Sequence, residues 1–399
     1  MTCDGYWRCF AVGLVAAGLL IAFAVQASAA QRGNFAGRVE ISGGRELYLE
    51  CRGRGRPTVV LVSGYGNGAD VWSQLDSGVK RPPVLAGVAR FARVCAYDRP
   101  NTILQPDGRS RSDPVRQPRT AADAVAELHA LLRAARERGP YVLVGHSLGG
   151  LFVRLYASTY PRQVAGLVQV DATYELLRDL IRPEQWAVFA RSTLEPVPGL
   201  DPPIELFDLD ASFDQILRAK AAQPLRPTLP LVVLSHGIPA ELPPGAPPGF
   251  PDAATLERAS STAQNWLGGL LPFARHVIAR RSGHYIQTAQ PDLVIDGVRR
   301  QLRMVRPATV RCRGDADSCR ARVSLAGGAS NKKVVIDLTD TDLRPVSVKP
   351  NRRSLRGAYG LFGQRLRAGG SEYVFRLNAV QSIGRAAHLT LTFRASRGR

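Results

Sequence analysis

The sequence predicts an α/β protein, a mostly parallel sheet covered by helices on both faces, followed by a small C-terminal antiparallel β domain. Three observations carry this. Short, wholly apolar runs such as 58–62, 141–144 and 231–234 alternate with amphipathic stretches, the pattern of buried parallel strands joined by helical crossovers. Residues 141–157 read as strand, Gly-x-Ser-x-Gly turn and helix in immediate succession, and that context distinguishes a nucleophile elbow from a loose Gly/Ser turn. Beyond residue 306 the apolar period changes to two, in runs separated by Gly- and Arg-rich turns, as half-buried strands require.

Hydrophobic residues make up 45% of the 399 and charged ones 22%, a globular balance that excludes bulk disorder. The N-terminus reads as an export signal over residues 1–30. Arg8 precedes an apolar run from 10 to 25, and Ala27-Ser28-Ala29 then fits small-residue cleavage. The alternative is an uncleaved anchor; either way the remainder leaves the cytoplasm. Removing the signal leaves Cys51, Cys95, Cys312 and Cys319, which allow three pairings. Cys51 and Cys95 lie in strand-like runs, whereas Cys312 and Cys319 can close one local loop. In an oxidising compartment we therefore expect 51–95 and 312–319 to be disulfides. No histidine stands at ligand spacing from either pair, which leaves zinc the weaker alternative.

In chain order, 39–41 and 47–49 predict an opening hairpin across Ser42-Gly43-Gly44-Arg45. Residues 58–62 form an apolar strand that runs into the Gly-rich loop 63–68, and another strand surrounds Val94. Val125, Leu128, Leu131 and Leu132 recur at helical spacing over 121–136, with Thr120 placed to cap. The elbow comes next, centred on Ser147. Glycine at 145 and 149 lets two backbones pass closely, while the serine is lifted out of a strained turn. The helix behind it aims N–H groups and a positive dipole end at a developing oxyanion. Further strands lie at 164–171, 231–234 and 276–279, the last leading to a loop with His284 and a helix begun near Pro291.

Residues 38–303 resemble an α/β-hydrolase. They carry the Gly-rich loop after the third strand, the Tyr97-Asp98-Arg99 turn, the Gly145-His146-Ser147-Leu148-Gly149 elbow and a late Gly283-His284. The resemblance implies a hydrolase domain over 31–305 with a helical cap at about 172–230, where 184–190 and 213–222 read as amphipathic helices. Two departures lie at the rim: Asn101, where many relatives have glycine, and the polar run 105–119.

A serine hydroxyl needs an adjacent base, and histidine titrates near neutrality. Of six histidines, His129 sits on a helix, His146 belongs to the elbow and is expected to point away from its tip, His236 follows a strand, His276 begins one, and His388 lies C-terminal. His284, in the loop after the last apolar strand, matches the family's base. The acid usually follows the seventh strand, but there the expected position holds proline; Glu241 and Asp252 are the nearest carboxylates, in a Pro/Gly-rich loop. Some relatives move the acid to the end of the preceding strand, which here is Asp171, our preferred acid. Elbow geometry makes the Leu148 N–H one oxyanion donor, and the resemblance makes the Tyr65 N–H the other.

The implied activity is hydrolysis of a small-molecule or lipid carboxylic ester through an acyl-enzyme, with no metal or organic cofactor required. The same triad would serve acyl transfer to a cell-envelope hydroxyl. The non-enzymatic alternative is an exported binding protein on a retired hydrolase scaffold. Net charge is +20, and residues 306–399, with 19 basic and 6 acidic side chains, supply +13 of it. Such a region suits an anionic cell surface as well as it suits a solvated basic face. Nucleic acid is not expected, since no binding motif accompanies the charge.

Overall fold

The computed structural model describes residues 33–105, 108–196, 204–227, 229–239, 241–242, 245–272 and 274–305, and the backbone of strands between 308 and 395. The predicted leader, and the pairing of Cys312 with Cys319, fall outside the described residues. Among the described residues no helix is long and apolar enough to cross a membrane.

Strands β1 (Phe35–Glu40), β2 (Glu46–Arg52), β3 (Val59–Val62), β4 (Val94–Tyr97), β5 (Tyr141–His146), β6 (Val164–Val170), β7 (Leu231–His236) and β8 (Arg275–Ala279) form one sheet. Their order is β1-β2-β4-β3-β5-β6-β7-β8. β1 pairs antiparallel with β2, and β2 with β4; from β4 onward every neighbour is parallel. The predicted hairpin, 39–41 against 47–49, is the β1–β2 pair. Cys51 stands directly opposite Cys95 in the β2–β4 register, and their sulfurs are bonded.

The strands before the cap are joined by helices α1 (Val84–Ala89), α2 (Ala121–Ala134) and α3 (Leu148–Thr159). Then come α4 (Pro183–Ser192), α5 (Leu209–Ala222), α6 (Ala253–Gly268) and α7 (Pro291–Val305). β3 is buried throughout, and its side chains divide between the two faces. Val60 and Val62 join Leu128, Leu131 and Phe152 of α2 and α3. Val59 and Leu61 join Val84 and Val88 of α1 and Val294 and Val298 of α7. That two-sided burial explains why the central strands read as unbroken apolar runs, each such side chain contributing about 1.5–3 kcal/mol.

α4 and α5 occupy the expected cap and pack by aromatic contact: Trp186 lies on Phe213 with ring centroids 5.2 Å apart, its Nε1–H donating to Asp210 at 2.8 Å. The sequence predicts no helix between 234 and 276, yet α6 lies there. Its buried residues are Ala259, Ala263, Gln264 and Leu267, so its apolar stripe is faint. Asp252 accepts from the Thr255 N–H and so caps it.

β9 (Ala308–Arg311), β10 (Ser318–Leu325), β11 (Lys333–Thr339), β12 (Leu343–Pro350), β13 (Tyr359–Arg367), β14 (Gly370–Leu377) and β15 (Ala387–Ala395) make two sheets, ordered β9-β11-β14-β13 and β10-β15-β12. Pairing is antiparallel as expected, except between β9 and β11. Those two are separated in the chain by β10, a strand of the other sheet, and so are linked by a crossover, which permits a parallel pair.

Candidate active site

The elbow is built by a fully buried strand meeting a helix with no linker. Ser147 sits between β5 and α3 at φ 50°, ψ −123°, a conformation that costs a non-glycine residue on the order of 1–3 kcal/mol. Three hydrogen bonds hold it. Ser147 N–H donates to Val170 O at 3.0 Å, and Ser147 O accepts from Gly150 and Thr173 N–H, each at 2.9 Å. The flanking glycines are required by close approach. A methyl at Gly145 would lie 2.4 Å from Gly149 O, and one at Gly149 2.3 Å from Val62 O.

The loop after β3 passes against the serine, since a methyl at Gly64 would fall 3.0 Å from Ser147 Cβ. A buried arginine fixes its shape. Arg99 donates to Ser63 O at 2.8 Å and Gly64 O at 2.6 Å, and meets Glu205 through two bonds of 2.6 and 2.8 Å. Glu205 also accepts the Gly66 N–H at 3.1 Å. Among the described residues, no acceptor takes the N–H of Leu148 or of Tyr65. Burial, with Glu205 nearby, pushes the Tyr65 hydroxyl up to about 12.

Asp171 directly follows β6 at φ 43°. Its N–H donates to Leu234 O at 2.7 Å, which ties it to β7. Its carboxylate meets His284 Nδ1 at 2.6 Å and His236 Nδ1 at 2.8 Å from each oxygen, and it accepts the His236 backbone N–H at 3.0 Å. Burial raises the Asp171 pKa, but the bonds from His236 and His284 outweigh it and hold the carboxyl well below the usual range. Of the three carboxylates considered, Asp171 is the one hydrogen-bonded to His284. Asp252 is spent capping α6, and Glu241 lines the cavity without bonding to His284.

His146 departs from the expectation that it points away. Its ring lies 4.6 Å from that of His284, and its Nε2 is 3.0 Å from His284 O. Burial, then the neighbouring His284, push its pKa down to about 3. The ring is therefore neutral and donates from Nε2, since a carbonyl can only accept.

Ser147, Asp171, His236 and His284 line one cavity of about 240 Å³, with Tyr174 and Phe189 among its apolar walls. His284 also lines a second cavity of about 410 Å³, together with Asp70 and Tyr285. Sequence reasoning passed over His236, Glu257 and Glu205. His236 carried a usable signal, because it ends the strand beside the one that Asp171 follows. Glu205 and Glu257 carried none, for they arrive from the cap segment and from an unpredicted helix. Asn101 adopts φ 64°, so the departure from glycine falls where asparagine is the side chain that best tolerates left-handed backbone.

Residues 59–311 match the sequence model described as the Alpha/beta hydrolase family. Among curated proteins, YqjL of Bacillus subtilis, an uncharacterized protein, is 30% identical over 120 residues, which is 30% of this chain and 41% of that protein. RutD of Escherichia coli, provisionally named a carbamate hydrolase, is 35% identical over 116 residues, 29% of this chain and 37% of its own. The matched stretch thus spans less than half the length of these relatives. Among solved structures, a thermophilic esterase from Thermogutta terrifontis aligns at 20% identity and TM-score 0.41, over 67% of this chain and 98% of its own. A hydrolase from Pseudomonas aeruginosa aligns at 18% and 0.44, over 67% and 98%. Sheet order, elbow and a family match covering most of the chain agree, and the protein belongs to the alpha/beta hydrolase family.

Proposed function

We propose that this protein is a serine hydrolase that cleaves carboxylic esters through an acyl-enzyme. The observation that carries the reading is the 2.6 Å bond between Asp171 and His284 Nδ1, in a cavity that Ser147 also lines. With Nδ1 donating to a carboxylate, Nε2 is left as the lone-pair nitrogen, the form a general base needs. In the reaction His284 Nε2 takes the Ser147 proton as Oγ attacks the acyl carbon. The N–H groups of Leu148 and Tyr65 bind the oxyanion. His284 then returns the proton to the leaving alkoxide, and water repeats the sequence to release the acid.

The 240 Å³ cavity lies below the usual span of drug-sized pockets and mixes Phe189 and Leu256 with Glu241 and Ser260. We take it as the acyl side, suited to short chains. A fluorophosphonate probe should label the protein and fail to label Ser147→Ala; no labelling of the native chain would leave a binding protein as the better reading. On p-nitrophenyl esters, turnover should peak at short acyl chains and fall toward long ones.

We also propose that the chain is exported. The leader-like residues 1–30 support this, as does the Cys51–Cys95 disulfide, a bond typical of oxidising compartments. The basic C-terminal region would then meet an anionic envelope surface. Co-sedimentation of the full chain with phosphatidylglycerol vesicles, lost as salt rises, is the expected result.

A further inference from the structure

Asp171 is gripped from two sides, and the triad uses only one. His236, the last residue of β7, places Nδ1 at 2.8 Å from both carboxylate oxygens of Asp171, while its Nε2 lies 3.0 Å from Glu257 Oε2 on α6. A neutral imidazole carries one N–H and one lone pair. With a carboxylate on each ring nitrogen, the neutral form would set a lone pair against an anion; only the imidazolium donates to both. Its side chain is 6% exposed, and these two carboxylates are the partners of its two ring nitrogens.

We propose that His236 is a positioning residue, a cationic imidazole that clamps Asp171 opposite His284 and offsets part of the aspartate's charge, with Glu257 keeping it cationic. This rests on the triad reading above. The clamp has two effects. Asp171, at an unfavourable positive φ, is oriented by a second side chain as well as by the His236 backbone N–H. And the neighbouring cation offsets part of the aspartate's charge, which weakens its pull on the Nδ1 proton of His284.

The ionisable groups facing His236 from each packed element are Asp171 beyond β6, Glu257 on α6, Glu241 from the loop after β7, and His284 across Asp171. Arg280, after β8, abuts Gly237 through its backbone. The bond to Asp171 first, and the one to Glu257 after it, outweigh burial and raise His236 to about 9, in agreement with the geometry.

The test is the pH dependence of kcat/KM on p-nitrophenyl butyrate, with His236 followed by NMR of its imidazole nitrogens in the full-length protein. We expect both ring nitrogens protonated at pH 7.5. In His236→Asn the acid limb should move about one pH unit upward. Glu257→Gln, a change at a partly exposed carboxylate that spares the interior, should lower the His236 titration and move the acid limb the same way by less. Fluorophosphonate labelling of Ser147 verifies that each variant is folded. A neutral His236 at pH 7.5 overturns the proposal, as does an unmoved acid limb in both variants while Asp171→Asn is impaired. Full turnover in Asp171→Asn would instead overturn the triad, and with it this positioning role.

Discussion

Ser147 and Asp171 are both non-glycine residues at positive φ, and each stands where a strand of the parallel sheet ends. Such backbone persists only where surrounding bonds over-determine it, and here they do. The Ser147 N–H reaches Val170 O, and the Asp171 N–H reaches Leu234 O, so each strand end is pinned by the next strand. Asp171→Asn keeps the shape but lets the amide present N–H to His284 Nδ1, favouring the wrong tautomer. We expect kcat on a model ester to fall about a thousand- to ten-thousandfold. His236 adds a stability signature. Its pKa is raised to about 9 in the folded state, so its contribution is fully present below the ordinary histidine value of about 6.5 and is lost as pH rises through 9. The melting temperature of the native chain should decline across that window, and that of His236→Asn should decline less.

At the scale of elements, the decisive joint is between the loop after β3 and the cap segment. Arg99 and Glu205 are 1% and 0% exposed in their side chains, and together they hold the Ser63 and Gly64 carbonyls and the Gly66 N–H. A buried pair of this kind is weak evidence of net stability, yet removing one partner strands the other. Glu205→Ala should therefore destabilise by about 3–5 kcal/mol in urea titrations. It should also lower kcat more than it raises KM, because the loop that carries Tyr65, the proposed oxyanion donor, loses its clamp. An effect on KM alone would mean that the loop does not serve the oxyanion.

For the whole molecule, the Cys51–Cys95 bond ties the antiparallel edge of the sheet to its parallel centre across 44 residues. Replacing both cysteines by alanine should cost about 2–4 kcal/mol in guanidinium denaturation, with turnover of the folded protein unchanged, since the bond lies at β2–β4 and the proposed triad at the ends of β5, β6 and β8. Both cysteines are fully buried, so a reductant should act on the native protein only as fast as the sheet opens.

The sequence by itself determined the strand–helix alternation, the elbow, the late histidine and the order of the segments that carry Ser147, Asp171 and His284. Each is a local pattern: apolar runs for strands buried on both faces, glycines where backbones touch, and turns at strand ends. It also named Asp171 as the preferred acid among three carboxylates, although a strand-end aspartate has no local mark that tells a triad acid from a loop cap. Tertiary structure sets β6 beside β7 and brings the loop after β8 across both, so that residues 171, 236 and 284 converge. It alone supplied Glu205 and Glu257, whose partners lie 106 and 21 residues away, and the helix α6, whose alanine-rich face is too faint to read from periodicity. Distance along the chain separates what could be read from what could not, because hydrogen bonds between buried charges leave no periodicity behind them.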